Sequence, residues 1–135
     1  MTFEDLEGWK QARQLTREVY TLTRKADLLK DFGICGQIQR SSVSIMSNIA
    51  EGFERQHIQE KLQFYNVARG SSAEVRSILY VVEDNYPRLS QEANELREKA
   101  VQTGKLVTGL IRSTESRRSK ATRLLSAIFH LLSPI

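Results

Sequence analysis

Apolar residues recur every three or four positions from about Asp5 to Lys25, the period of an amphipathic helix. Ala12, Leu15, Val19 and Leu22 form one stripe, and Trp9, Thr16, Tyr20 and Thr23 widen it. Thr2 and Asp5 have the spacing of a capping box at the start. A connector over Ala26 to Gly33, ending in Asp31-Phe32-Gly33, leads into a second helix of about Ile34 to Phe53. Its apolar residues Ile34, Ile38, Ile45, Ile49 and Phe53 lie four or seven apart, and Ser41, Ser42, Ser44, Ser47 and Ala50 fall between them. So many small side chains allow close approach of neighbouring backbones, and Gly52 is placed to end the helix.

The third periodic stretch, about Ile58 to Asn85, is the longest, and its length predicts that it projects beyond its neighbours. Ile58, Leu62, Tyr65, Ala68, Val75, Ile78, Leu79 and Val82 make its apolar face. Gly70 in its interior costs about 1 kcal/mol relative to alanine, which implies a close contact or a bend. Pro87 stops this helix and Ser90 caps a fourth, in which Leu96, Ala100, Thr103, Val107 and Leu110 repeat up to about Arg112. The expected fold is all-α, an antiparallel up-down-up-down four-helix bundle over residues 1–112, followed by an extension over 113–135 that is basic and then apolar.

Composition narrows the class. With 135 residues, 40% apolar and 27% charged, the chain fits one globular domain. A single cysteine, Cys35, excludes an internal disulfide and reads as a small core residue; no Cys/His cluster has zinc-ligand spacing. The acidic N-terminus lacks the pattern of a signal peptide, and no apolar run reaches the length of a membrane span. The expectation is a cytoplasmic protein without cofactor or integral membrane association.

The net charge of +4 is unevenly placed. Arg117, Arg118, Lys120 and Arg123 against Glu115 give residues 113–135 three of those four charges. The first helix looks neutral only because Glu4, Asp5 and Glu7 sit in its first turn, where they complement the helix dipole. At about 100° per residue, Lys10, Arg13, Arg17 and Arg24 fall in an arc of about 60° on the face opposite the apolar stripe.

Two stretches carry a resemblance: Gln37 to Ile45, continuing into Asn48-Ile49-Ala50-Glu51-Gly52-Phe53, and Phe64 to Glu74, which contains Ala68-Arg69-Gly70-Ser71. With the opening Asp5-Leu6-Glu7-Gly8-Trp9, they resemble the bacterial four-helix-bundle proteins encoded in intervening sequences of 23S ribosomal RNA genes, over about residues 3 to 112. The resemblance implies a ring-like homopentamer and kinship with the nucleic-acid-binding accessory variability determinant of diversity-generating retroelements, and it implies no established catalytic activity. The family's chains usually end soon after a segment like Leu110-Ile111-Arg112, so the extension departs from its pattern.

Each candidate has a plain alternative. Arg40, Asn48, Glu51 and Gly52 on the second helix, and Arg69, Gly70, Ser71 and Glu74 on the third, form either a cleft or, as buried charges usually do, a network of Arg–Glu pairs between helices or subunits. The Lys10/Arg13/Arg17/Arg24 stripe is a solvated face in a monomer, but repeated around an oligomer it becomes one extended positive surface. No aromatic interleaves with it, which favours phosphates of structured RNA or duplex DNA over stacked single strands. For the extension three readings stay open: packing against the bundle or another subunit, a basic arm for nucleic acid, and an interfacial anchor, the last disfavoured by its short apolar stretch. Arg123 and His130 have the loose spacing of helical ribonucleases of the HEPN type, but Leu124 stands where a polar residue usually follows the arginine. His57 reads as a surface or cap residue. The chain is therefore expected to be a non-enzymatic binder of RNA or DNA, or alternatively a scaffold for a protein partner.

Overall fold

The computed structural model describes residues 1–134. They form α1 (Glu7–Thr23), α2 (Phe32–Glu54), α3 (Ile58–Asn85) and α4 (Ser90–Leu132), with short 3-10 turns at Phe3–Asp5 and Pro87–Leu89 and no strand among them. The apolar stripes converge on one core, in which Leu15, Val19, Ile38, Ile45, Ile49, Val75, Leu79, Val82 and Val107 are fully buried. Cys35 is part of that core, its thiol pointing at the Leu28 carbonyl 3.3 Å away, and burial raises its pKa. The all-helical expectation holds.

Local chemistry shifts the helix ends. The Thr2 N–H donates to Asp5 Oδ2 at 2.9 Å, but this capping pair closes the first 3-10 turn. Leu6 then takes extended backbone, so α1 starts at Glu7 rather than near Asp5. At α2, Asp31 is the cap, accepting from the Ile34 N–H at 3.1 Å, which brings the helix start forward to Phe32. The Tyr86 hydroxyl donates to the other Asp31 oxygen at 2.7 Å, tying the start of α2 to the turn between α3 and α4. The Tyr86 bond first, and the Ile34 N–H second, hold the Asp31 carboxyl below its ordinary range.

Gly52 does not end α2. The helix continues to Glu54, and no glycine has positive φ among the described residues. A Cβ at Gly52 would lie 2.7 Å from Cε1 of Tyr65, a ring only 2% exposed, so the glycine makes room for an aromatic on α3. The last α2 carbonyls are capped from outside: Lys61 Nζ donates to Phe53 at 2.6 Å and to Gly52 at 3.3 Å. Burial of this ammonium, and then Arg117 nearby, lower its pKa.

The projecting helix is α4, not α3. It runs without a break past Arg112, so the predicted boundary between residues 112 and 113 is no break in secondary structure. Thr114 is the last buried residue, and everything from Glu115 to Pro134 is exposed. Arg117 is near Lys61, in the first turn of α3, so beyond it α4 has no helix alongside. At 1.5 Å per residue the free part is about 27 Å long.

Gly52→Ala tests the α2–α3 contact. Helix propensity alone would add about 1 kcal/mol of stability, whereas overpacking costs about 1–3 kcal/mol. The variant is expected to unfold at lower urea concentration, with a net loss of up to about 2 kcal/mol; a midpoint above that of the parent protein contradicts the contact.

Candidate nucleic-acid interface

Lys10, Arg13 and Arg17 on α1, and Arg24 at its C-cap, are all exposed, as the wheel geometry predicts. Among the described residues the ion pairs join Arg55 to Glu60, Arg97 to Glu83 and Lys99 to Glu18, so none takes a cation of this stripe. Arg17 and Arg24 touch only neutral neighbours, donating to Gln14 Oε1 and Thr21 Oγ1 at 3.4 Å each. Arg13 lies over the Trp9 ring, 5.7 Å from its centre. An aromatic does therefore border the stripe, contrary to expectation. Phe3 meets Trp9 edge-on at 5.2 Å and Arg13 covers a face, so the indole is not a free stacking platform. The face offers charge and forked donors, which suit phosphate oxygens.

The polar motif of α2 and α3 is built differently from the expected Arg–Glu network. Arg40, Glu51, Arg69 and Glu74 are exposed and take part in none of the ion pairs. The contact between the helices is made by neutral groups: the Ser44 and Ser71 hydroxyls bond at 2.8 Å, and Asn48 Nδ2 donates to Ser44 Oγ at 3.0 Å and to its carbonyl at 2.8 Å. A pair of short hydroxyls joins the two helices there in place of an Arg–Glu pair. Arg40 folds back over Gly36, and Arg69 donates to Asn66 Oδ1 at 3.0 Å. Gly70, expected to allow a contact or a bend, has open space where a Cβ would be.

Residues 4–109 match the family described as 23S rRNA-intervening sequence protein. The chain belongs to this family. No curated protein matches it. The matched segment contains the α1 stripe and the polar motif but ends before Arg112, so the family supplies no template for the free part of α4.

That free part carries Arg117, Arg118, Lys120 and Arg123, which are spread around the helix and do not form a single stripe. Arg117 donates to Thr114 Oγ1 at 3.3 Å. Leu124, Leu125, Phe129, Leu131 and Leu132 are each more than 60% exposed, so this segment does not pack on its own bundle. Arg123 and His130 share a face two turns apart, both exposed. His57 is the exposed N-cap residue of α3, without a side-chain capping bond. No group of three or more His, Cys, Asp or Glu suited to a metal occurs among the described residues. No helix among them is long and apolar enough to cross a membrane.

One cluster was not anticipated. Arg69 and Arg76 on α3, with Lys105 and Arg112 on α4, line a groove of about 590 Å³ whose other walls are Ser72, Ala73, Ala100, Val101, Gly104 and Thr108. The pairs 69/76 and 105/112 each repeat at seven residues, a spacing visible in the sequence. That they face one another follows only from the packing of α3 on α4.

Removing residues 117–135 tests the separateness of the free segment. The shortened chain is expected to keep its urea midpoint, with stability changed by less than about 0.5 kcal/mol, as for surface changes generally. A loss of several kcal/mol would show that the segment supports the bundle.

Proposed function

We propose that the protein is a non-enzymatic, cytoplasmic, homo-oligomeric bundle that binds structured RNA or duplex DNA through basic helix faces. The observation that carries the reading is the α1 stripe, in which Lys10, Arg13, Arg17 and Arg24 are exposed with no carboxylate partner. The proposed helix order is antiparallel and up-down-up-down. It is supported by Gly8 facing Leu106 and Leu110 while Glu18 pairs with Lys99, and by the Ser72 hydroxyl donating to the Ala100 carbonyl at 2.8 Å.

Self-association is supported by the outer surface of α3. Val67, Gly70, Ser77 and Val81 lie within about 80° of arc, and Val67 and Val81 are 51% and 40% exposed. Val43 on α2 is 41% exposed. A helix-interior glycine at which an added Cβ would meet no other part of the chain within 4 Å has room for the backbone of another copy. A ring of five, as the resemblance implies, would repeat the α1 stripe and turn a four-residue cluster into an extended positive surface. The same resemblance implies kinship of the protein with the accessory variability determinants. The apolar residues on free α4 favour a second reading, a scaffold that docks a protein partner, in which the basic faces serve solubility.

Anisotropy titrations on an RNA hairpin and a DNA duplex between 50 and 200 mM salt, run beside light scattering, separate the two. Each phosphate neutralised adds a slope of about −0.9 for duplex DNA, so four contacts predict about −3.6 per protomer. Reversing Arg13, Arg17 and Arg24 to Glu is expected to remove most of that slope, and unchanged binding excludes the stripe. A monomeric mass would contradict the oligomer.

A further inference from the structure

We propose that the groove between α3 and α4 is a separate site that seats the sugar–phosphate backbone of a nucleic acid. This rests on the reading of the protein as a nucleic-acid binder, but places contacts on a surface other than the α1 stripe.

Four cations, Arg69, Arg76, Lys105 and Arg112, border the groove, and none belongs to an ion pair among the described residues. The same helix pair does use a carboxylate where one is available: nearer the start of α4, Arg97 is 3.0 Å from Glu83 and lies over Tyr80. The groove cations are left for an outside anion. Bringing like charges onto facing helices costs little in water, where two charges 10 Å apart repel by about 0.4 kcal/mol, and an entering anion reverses that cost.

The floor lets an anion reach between them. Ser72 Oγ donates to the Ala100 carbonyl, and a Cβ at Gly104 would lie 3.1 Å from Ser72 Oγ, so α3 and α4 run close together there. Ala73 and Ala100 add only methyl groups, and no long side chain fills the trough. Ser72 therefore lies level with the turn from Ala100 to Gly104, which fixes the register. Arg76 lies about 6 Å from Ser72 along the axis in one direction and Arg112 about 15 Å in the other, with Arg69 and Lys105 between. Cations distributed over about 20 Å exceed what one phosphate or one nucleotide can neutralise. Along a duplex axis, where each strand carries one charge per about 3.4 Å, that length matches about six nucleotides of one strand. No aromatic lines the groove, so it reads backbone charge rather than stacked bases and has no sequence preference of its own.

The test uses the full chain and a 20-nucleotide RNA, the matching DNA strand and their duplexes, with a poly-glutamate peptide and inorganic pyrophosphate as competitors. Arg76→Glu with Lys105→Glu is the groove variant; both side chains are exposed, so circular dichroism and mass are expected to stay unchanged. The expected result is at least a tenfold loss of affinity at 50 mM salt and a log–log salt slope shallower by about 1.4 for single strands or 1.8 for duplexes. That loss is expected in both the parent protein and the variant reversed at Arg13, Arg17 and Arg24, while Arg76→Lys retains most of the affinity. Loss in the groove variant alone, with the α1 variant binding normally, upholds the groove and overturns the stripe. Normal binding by the groove variant overturns the groove, whatever the α1 variant does, and failure of the parent protein to bind any of the strands overturns both. Loss of poly-glutamate binding with retention of RNA binding in the groove variant, or a change in its oligomeric mass, assigns the groove to an acidic protein surface and overturns the proposal.

Discussion

Close approach along α3 is the constraint on which the remaining structure depends. On one side the Tyr65 ring occupies the space that a side chain at Gly52 would fill, and Ser71 meets Ser44 through their hydroxyls. On the other, Ser72 bonds the Ala100 carbonyl beside Gly104. Small residues at these points give up buried apolar area. In exchange, backbones come near enough for short hydroxyls to satisfy polar groups that a wider gap would leave unpaired. Any larger side chain here would displace a helix as a body, because the surrounding core is close-packed.

The same packing sorts the charges. With the interior closed by serines, glycines and short aliphatics, no lysine or arginine is drawn fully inward, and the cations fall on the outer faces. Carboxylates meet cations mainly near the end of the bundle where α3 gives way to α4 and α1 nears its C-terminus, through Glu83 with Arg97 and Glu18 with Lys99. The α1 stripe and the α3–α4 groove are left without carboxylate partners. A net charge of +4 is modest for a chain of this length. What matters is that eight of the twenty cations stand on two faces without a carboxylate partner, while negative groups such as Asp5 and Asp31 serve as caps.

Much of this was legible in the sequence. Periodicity placed four helices and nearly all of the core, because an amphipathic stripe records directly which side is buried. The α1 stripe followed from the same geometry. Three features were not legible, each for a physical reason. A glycine near a helix end looks the same whether it terminates the helix or admits a ring, and only the position of Tyr65 decides for Gly52. The end of α4 was placed near Arg112 because the core pattern stops there, yet residues 113–132 have no helix breaker, and the helix outlasts its packing partners. The groove depends on which helices are neighbours. Arg69 was noticed for its place in a motif, whereas Arg76, Lys105 and Arg112 acquire meaning only across the α3–α4 contact.

In the proposed function, the cations left unpaired on the bundle's outer faces are the ones that meet phosphate. Lysine footprinting decides this: the protein is briefly acetylated, once free and once saturated with duplex RNA, and modification at each lysine is read by mass spectrometry. Lys10 on the α1 stripe and Lys105 in the groove are predicted to be protected by the RNA, while Lys30, exposed in the connector between α1 and α2, reacts equally in both states. Equal reactivity of Lys10 and Lys105 in the free and bound protein would contradict the claim.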